Sequence, residues 1–296
     1  MNEKPHIWVL NPGAERELLP SASADRRTVA QMKARQQLFD GLCAGEERTW
    51  LDDLSKSRHE ARTKATKGRR ALLWCPVPSA VRLCRAHGLS PQNAPRTEVL
   101  ERVLSKAFLG ETLPAWTPPA HRRVNDLADV RQAFADARGP LRAKRLDGYA
   151  GKGQRTLRTL DAPSEVLWIE ANLRGGGLIV EAELTIVGEF SIHGVVGPLG
   201  VLIGMPCKLQ TDAARAPLSI PTACPNAPRA RDIERAGNEA ARALEKAGYF
   251  GPFGLDLILA EGGLYATDLN ARFTLGFSAG MGAHRPRAIE WILDAG

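Results

Sequence analysis

The sequence predicts an α/β protein in which a small N-terminal domain precedes a larger one. Short apolar runs alternate with helical stretches over the first 93 residues, which is typical of a small α/β domain. A stretch rich in proline and asparagine, Pro91–Pro95, follows and indicates a boundary. With 296 residues the chain is long enough for two domains. We therefore expect one domain over residues 1–93 and a second over residues 94–296.

Two strand–helix units make up the predicted N-terminal domain. His6–Leu10 is a short apolar run closed by a turn sequence, which predicts a buried strand. The stretch from Ala24 to about Leu42 has a helical pattern. Ala71–Trp74 predicts a second buried strand, and Ser79–His87 predicts a helix that ends at Gly88.

The second domain mixes helices with strands and ends in a hairpin and a short helix. Its predicted elements are the helices Thr97–Leu109 and Leu127–Arg138, the strand Leu141–Leu146, the glycine-rich segment Gly148–Gly153, the strands Leu178–Val180 and Glu189–Val196, the helix Asp232–Ala247, the hairpin Phe253–Ala271 and the helix Arg287–Leu293.

Composition is that of an ordinary globular protein with an excess of basic residues. Apolar residues make up 44% of the chain and charged residues 25%, which excludes the disordered and fibrous classes. Much of the net charge of +7 comes from Arg62–Arg70 and Arg142–Arg158, which suit either a nucleic-acid backbone or an anionic small substrate. Aromatic residues are only 6%, which disfavours a base-stacking surface. We therefore expect small-molecule partners and no nucleic acid.

The cysteines and histidines form no recognisable ligand or disulfide pattern. The 5 cysteines include no C-x-x-C pair, which fits reduced thiols, and the 6 histidines are spread singly, which argues against a zinc site. No segment has the length and apolar character of a signal peptide or membrane span. A cytoplasmic location without a membrane partner is expected.

The C-terminal hairpin concentrates polar side chains on one face. A glycine-rich turn centred on Gly262 places Asp256 directly opposite Asp268, with side chains about 5 Å apart. Alternation along the strand puts Asn270 and Arg272 on the same face as Asp268. Two carboxylates this close need a proton or a cation between them. The hairpin therefore predicts a Mg²⁺ site that bridges phosphates, or else an acidic face exposed to water.

A lysine and a glycine-rich segment precede the hairpin. Lys144 lies in a predicted strand, and Gly148, Gly151 and Gly153 follow it. Glycines let backbone N–H groups approach phosphate oxygens, and a lysine adds a positive charge. The spacing is not that of a Walker A loop. On its own, such a segment is more often an ordinary loop.

The order of these segments resembles the ATP-grasp superfamily. A lysine strand is followed by a glycine loop, a strand that ends in Glu181, a second acid, Glu189, and then the motifs G-x-D-x-x-x and D-x-N-x-R in the hairpin. The resemblance covers about residues 94–285, and the N-terminal unit resembles the domain that precedes the fold in these enzymes. It implies an ATP-grasp fold with a mobile glycine-rich lid over about residues 113–180.

The resemblance also implies a site for ATP and Mg²⁺. Lys144 and Arg272 are implied as catalytic residues, and Arg272 resembles the arginine that steadies the acyl phosphate. Many members carry Glu at the position of Asp268, which keeps an oxygen ligand. The implied metal ligands are Asp256, Asp268 and Asn270. The implied nucleotide-binding residues are Lys106, Lys144, Gly148, Gly151, Gly153, Glu181, Glu183, Leu184 and Glu189.

The activity implied by the resemblance is the ATP-dependent ligation of a carboxylate and an amine. The carboxylate attacks the γ-phosphate to give an acyl phosphate and ADP, and an amine, or less often a thiol, then displaces phosphate. The expected partners are small carboxylates and amines, and a homodimer is possible. His193, Arg174 and the edge Arg285–Arg287 are candidate contacts for an acidic substrate. In its small size the chain also resembles ligases that join glutamate to an aromatic amine.

Two other functions are open on the sequence alone. A regulatory protein would bind ATP without ligase activity, although the joint presence of Lys144, Asp256, Asp268 and Asn270 argues against a decayed site. A nucleic-acid-binding protein would use Arg62–Arg70 and would bind with a steep salt dependence.

Overall fold

The structure is a computed structural model that describes residues 6–18, 33–56, 66–149, 152–212 and 217–295. Its first elements are β1 (Ile7–Leu10), α1 (Gln37–Cys43), β2 (Arg48–Trp50), α2 (Leu51–Lys56), β3 (Arg70–Leu73), α3 (Pro78–Ala86) and β4 (Ser90–Pro91). The four strands form a parallel sheet in the order β2-β1-β3-β4. Strands of a parallel sheet are covered on both faces, so β1 and β3 are continuous apolar runs, as predicted. Residues 24–32 of the helix predicted from Ala24 to about Leu42 lie outside the described residues, and its described C-terminal part contains α1.

The single helix predicted over Thr97–Leu109 is two helices, α4 (Thr97–Leu104) and α5 (Ala107–Thr112). The prediction is wrong because Ser105 has an extended backbone, with φ −71° and ψ 134°. Its hydroxyl accepts a hydrogen bond at 3.3 Å from the first backbone N–H of α5. A serine that bonds the backbone in this way competes with helix continuation. Lys106 therefore lies at the break between the two helices.

The next elements are β5 (Arg122–Val124), α6 (Leu127–Ala137), β6 (Leu141–Tyr149), β7 (Lys152–Leu157), α7 (Pro163–Leu173) and β8 (Leu178–Ala182). The strands form an antiparallel sheet, β5-β8-β6-β7, which has an apolar core of its own. The loop predicted over Gly148–Gly153 is wrong in part, because Gly148 lies in β6 and Gly153 in β7. Gly153 has a φ of +75° beside a shift in strand register, a conformation that glycine adopts at a bulge. Residues 150 and 151 lie outside the described residues.

The last elements are β9 (Ile186–Gly197), β10 (Gly200–Ile203), β11 (Cys207–Lys208), β12 (Thr222–Ala223), α8 (Ala230–Lys246), β13 (Gly251–Ala260), β14 (Gly263–Asn270), α9 (Phe277–Met281) and α10 (Arg285–Asp294). Their strands form a larger sheet in the order β12-β11-β9-β13-β14, and β10 pairs with β9. Helix α8 packs closely on β9, since a Cβ at Gly237 would lie 2.9 Å from Cγ2 of Ile192. The core of this sheet is continuous with that of the N-terminal sheet.

The predicted pairing of Asp256 with Asp268 is confirmed, but the turn that produces it differs from the prediction. The turn has two residues, because Ala260 at the end of β13 pairs with Gly263 at the start of β14. From there the register would miss the aspartate pair by one residue. A bulge at Thr267 adds that residue and brings the two aspartates opposite each other.

The boundary near residue 93 and the lid over about residues 113–180 stay predictions. The small antiparallel sheet, with its separate core, spans residues 122–182. None of the helices in the described ranges combines the length and the apolar character that crossing a membrane requires.

Candidate active site

Three neighbouring strands of the larger sheet carry polar side chains on one face. Ser191 in β9 pairs with Asp256 in β13, and Asp256 pairs with Asp268 in β14. Side chains two positions apart along a strand share a face. The next row on this face consists of His193, Gly254 and Asn270.

These rows form one wall of a cleft with about 1350 Å³ of open space. Strands β6 and β7 and the segment after β8 contribute the facing wall. Gly153 does not line the cleft, and a Cβ there would lie 2.8 Å from the Arg145 side chain. Gly151 lies outside the described residues. The predicted site residues that line the cleft are Lys106, Lys144, Glu181, Glu183, Leu184, Glu189, Asp256, Asp268, Asn270 and Arg272.

One carboxylate of the aspartate pair is neutralised by a lysine. The Nζ of Lys106 lies 2.7 Å from Oδ1 of Asp268, and the helix break between α4 and α5 places it there. Burial alone would raise the pKa of Asp268, but the Lys106 ammonium holds it below its usual value. Asp268 is therefore ionised at neutral pH.

The other carboxylate lies near the charges of Lys106 and Arg272 without pairing directly with either. Asp256 forms no ion pair within the described part of the chain, and its closest polar contact is Nδ2 of Asn270, 3.5 Å from its Oδ2. Burial and the charge of Asp268 raise the pKa of Asp256 to about 7. A carboxyl group held near half-ionisation beside a second carboxylate is electrostatically suited to a cation.

Lys144 is the centre of a buried polar group on the facing wall. Its Nζ lies 2.5 Å from Oε1 of Glu181 and donates to the Thr267 carbonyl oxygen at 3.0 Å. The other Glu181 oxygen lies 3.1 Å from Nδ1 of His121. Burial alone would raise the pKa of Glu181, but Lys144 and His121 lower it. Both Glu181 oxygens are thus engaged by protein groups.

The segment after β8 offers a backbone donor to the cleft. The N–H groups of Ala182 and Glu183 donate to the carbonyl oxygens of Pro119 and Pro140. The N–H of Leu184 has no hydrogen-bond partner in the residues that the structure describes. An acceptor atom on a bound planar ring would satisfy this donor.

The two remaining acids on the cleft are held by neighbours. Glu183 accepts hydrogen bonds from Nε and Nη2 of Arg142 at 2.8 and 2.9 Å and from the Thr156 hydroxyl at 3.0 Å. Glu189 accepts one from the Thr211 hydroxyl at 2.6 Å. Arg142 and Thr211 also line the cleft and were not predicted as site residues.

The Arg272 guanidinium is fixed between the sheets. It donates to Oδ1 of Asn270 at 2.8 Å and to the Phe273 carbonyl oxygen at 3.0 Å, and it lies over the Trp74 ring at 5.1 Å from the ring centre. Trp74 follows β3 and was missed as a cleft residue. Its position beside Arg272 depends on how the N-terminal sheet docks, for which the sequence carries no local signal.

His193 lies in the cleft wall as an uncharged side chain. Its Nδ1 lies 2.8 Å from the Thr274 hydroxyl and its Nε2 lies 2.9 Å from the Ser191 hydroxyl. Burial lowers its pKa to about 3, so it offers an acidic substrate no charge at neutral pH. A Cβ at Gly276 or Gly280 would lie 2.3 or 2.6 Å from the ring, so these glycines make room for it.

The other candidate contacts for an acidic substrate do not line the cleft. Arg285 donates through Nη1 and Nη2 to Glu46 at 2.9 and 2.6 Å, far from the aspartate pair in the fold. Arg174 is exposed at the end of α7, and Arg287 lies over the Trp291 ring. These three arginines therefore do not line the cleft, and their contact with an acidic substrate stays a prediction.

The acidic pair fits Mg²⁺ by the chemistry of its donors. Asp256, Asp268 and Asn270 supply two carboxylates and an amide group on one face, and Mg²⁺ prefers oxygen ligands. The amide oxygen of Asn270 accepts a hydrogen bond from Arg272, so its role as a metal ligand stays a prediction. No group of three or more His, Cys, Asp or Glu suited to a metal occurs within the described ranges. A magnesium ion here would therefore need further oxygens from a substrate or from water.

Comparison with solved structures identifies the fold. The structure of this chain is similar to the ADP complex of N5-carboxyaminoimidazole synthetase from Staphylococcus aureus, with a TM-score of 0.59 and 11% sequence identity. The match covers 100% of this chain and 79% of that one. Over 98% of this chain and 70% of the other, it matches a biotin carboxylase from Campylobacter jejuni, with a TM-score of 0.65 and 12% identity. No family model and no curated relative matches the sequence. These neighbours have the ATP-grasp fold, and this chain has the same fold.

Proposed function

Taking the ATP-grasp fold as the starting point, we propose that this chain is an ATP-dependent ligase that joins a small carboxylate to an amine. One observation carries the proposal: the Asp256–Asp268 pair, in which only Asp268 has an ion-pair partner among the described residues, lies in a cleft that also contains Lys106, Lys144 and Arg272. This combination of acids and cations suits phosphoryl transfer, in which catalysis is mostly positioning and charge neutralisation.

The nucleotide is proposed to lie along the cleft from the segment after β8 to the aspartate pair. The free N–H of Leu184 would bond the adenine ring, and Glu189 would bond the ribose hydroxyls. The ammonium groups of Lys106 and Lys144 would contact the phosphates, because both line the cleft near Asp268. The hairpin that contains Gly148 and Gly153 would cover the triphosphate as part of the lid.

Asp256, Asp268 and Asn270 are proposed to hold Mg²⁺. When bound, the ion would help to neutralise the negative charge of the transferred group. A solved neighbour, a 2-oxoglutarate carboxylase domain from Hydrogenobacter thermophilus, contains MgADP and bicarbonate, which supports a metal–nucleotide complex on this fold.

The proposed reaction has two steps. A carboxylate oxygen of the substrate attacks the γ-phosphorus, so that a new P–O bond forms and the bond to ADP breaks. The amine nitrogen then attacks the carbonyl carbon of the acyl phosphate, and phosphate leaves with the electron pair as the nitrogen loses a proton. Arg272 would orient the carboxylate and the acyl phosphate through its guanidinium, which Trp74 and Asn270 already hold in place.

Formation of ADP with a panel of carboxylates and amines tests this proposal. The expected result is ADP release that requires one acid and one amine together, with a matching amount of phosphate and of the coupled product. ATP binding without ADP release under any pair would instead indicate a regulatory nucleotide-binding protein. Absence of nucleotide binding would contradict the proposal altogether.

A further inference from the structure

The Lys106–Asp268 ion pair joins two groups that the proposed function assigns to different ligands. Asp268 is proposed to bind Mg²⁺ and Lys106 is proposed to bind a phosphate, yet their charged atoms lie 2.7 Å apart in the structure. The Lys106 side chain is 12% exposed and that of Asp268 is 29% exposed, so water screens the pair only in part. A metal ion at Asp268 would share this carboxylate with the Lys106 ammonium, and the two positive charges would oppose each other.

The second lysine of the cleft presents no such conflict. Lys144 pairs with Glu181 at 2.5 Å and bonds the Thr267 carbonyl oxygen, and neither group is a proposed metal ligand. Lys144 can therefore attract a phosphate without changing the metal site. Arg272 bonds the amide oxygen of Asn270, but Lys106 is the cation that pairs with a carboxylate of the proposed metal site in the described cleft.

From this arrangement we infer that the Lys106 ammonium competes with the metal ion for Asp268. The competition ends when the nucleotide phosphates bind and the ammonium moves from Asp268 to a phosphate. An ammonium and a divalent cation within bonding distance of one carboxylate oxygen repel each other strongly at this degree of burial. The remaining donors, Asp256 and Asn270, supply too few oxygens to hold the ion well. The inference rests on the proposed function and describes how the same site is regulated.

The backbone around Lys106 allows this exchange without refolding. Lys106 lies at the break between α4 and α5, and its N–H is 3.5 Å from the Leu146 carbonyl oxygen in β6. The lysine side chain has four flexible methylene groups, so the ammonium can move to a nearby phosphate by rotamer change. Nucleotide and divalent cation should consequently bind with positive cooperativity, and the coupling must be reciprocal.

The experiment measures Mn²⁺ binding to the full chain by the electron paramagnetic resonance signal of free Mn²⁺, first without nucleotide. Lys106→Met is expected to bind Mn²⁺ about tenfold more tightly than the wild type, because it removes the competing charge. Lys106→Arg keeps the charge and should bind as weakly as the wild type. Lys246→Met, at the exposed end of α8, matches the change in net charge and should have no effect.

A second titration measures ATP binding by calorimetry in the presence of a chelator and then with saturating Mn²⁺. Lys106→Met should weaken metal-free ATP binding, and the factor by which Mn²⁺ improves ATP binding should be smaller than in the wild type. Should Lys106→Met not fold, Lys106→Gln provides the same comparison.

Unchanged Mn²⁺ affinity in both neutral variants, with normal ATP binding by the wild type, would overturn the inference and leave the proposed function intact. If the wild type does not bind ATP, either alone or in the presence of Mn²⁺, the proposed function and the inference both fail.

Discussion

Replacing Asp268 with Asn changes the acidic pair while keeping the shape of the side chain. The substitution removes the partner of Lys106, which lies 2.7 Å away, and one of the two carboxylates on the shared face. It also removes the charge that, after burial, raises the pKa of Asp256 to about 7. In the variant, the pKa of Asp256 should therefore lie below 7, and Lys106 should have lost its carboxylate partner.

The expected loss of activity follows from the role of the pair. Asp268 is one of two charged metal ligands in the proposed site, and the loss of one preorganised electrostatic partner costs about a hundredfold in turnover, or about 2.7 kcal/mol of barrier. The cost to folding should be small, about 1 kcal/mol or less, because the lost ion pair is partly offset by relief of the repulsion from Asp256.

The assay is ADP release at saturating ATP with the acid and amine identified from the substrate panel. Asp294→Asn provides the control, because Asp294 forms an exposed ion pair with Arg70 away from the cleft. A thermal melt of each variant confirms that the fold is retained. Turnover of the Asp268→Asn variant within about threefold of the wild type would refute the assignment of this residue to the chemistry.

Three further predictions concern stability. In the folded protein the pKa of Asp256 is raised from 3.8 to about 7, so the protonated group stabilises the fold below pH 3.8 and this contribution is lost as the pH rises through 7. Denaturant melts at pH 8 in metal-free buffer should therefore show that Asp256→Asn is more stable than the wild type. Burial alone would raise the pKa of Glu46, but its partner Arg285 and other donors lower it from 4.5 to about 2, so its contribution to folding stability is present above pH 4.5 and is lost as the pH falls through 2. Glu46→Gln should lower the free energy of unfolding at pH 7 by roughly 1–3 kcal/mol. A wild-type stability that does not fall between pH 4.5 and pH 2 would contradict this prediction. A Cβ at Gly280 would lie 2.6 Å from the His193 ring, so Gly280→Ala should destabilise the fold by about 1–3 kcal/mol in denaturant melts. Gly139→Ala is the control and should destabilise the fold much less, because its Cβ would have no neighbour closer than 3.9 Å. Equal stabilities of the two variants would show that the His193 ring is not confined.

The sequence was sufficient to predict the features that depend on local patterns. Period-two alternation and a glycine turn located the hairpin and the shared face of Asp256 and Asp268. The order of motifs predicted the ATP-grasp fold, which the comparison with solved structures confirmed. The aspartate pairing was predicted correctly, but the turn was not. The prediction centred the turn on Gly262 and had no bulge, because the alternation of apolar and polar residues does not show the bulge at Thr267.

Features that depend on contacts between distant segments could not be predicted. The serine that divides α4 from α5 places Lys106 beside Asp268, 162 positions later in the chain, and no local pattern shows that pairing. Trp74 lines the cleft because of how the N-terminal sheet packs against the C-terminal segments, which the sequence does not show. His193 was named from the sequence as a candidate substrate contact, and it lies in the cleft, but its burial and its uncharged state were not predicted.

A crystal structure of the protein with Mn²⁺ and a non-hydrolysable ATP analogue tests the central claim most directly. We predict an anomalous Mn²⁺ peak between the carboxylates of Asp256 and Asp268, bridged to the phosphates of the analogue, with the Lys106 ammonium moved from Asp268 to a phosphate oxygen. Nucleotide bound elsewhere, or an Mn²⁺ peak away from both carboxylates, would contradict the account.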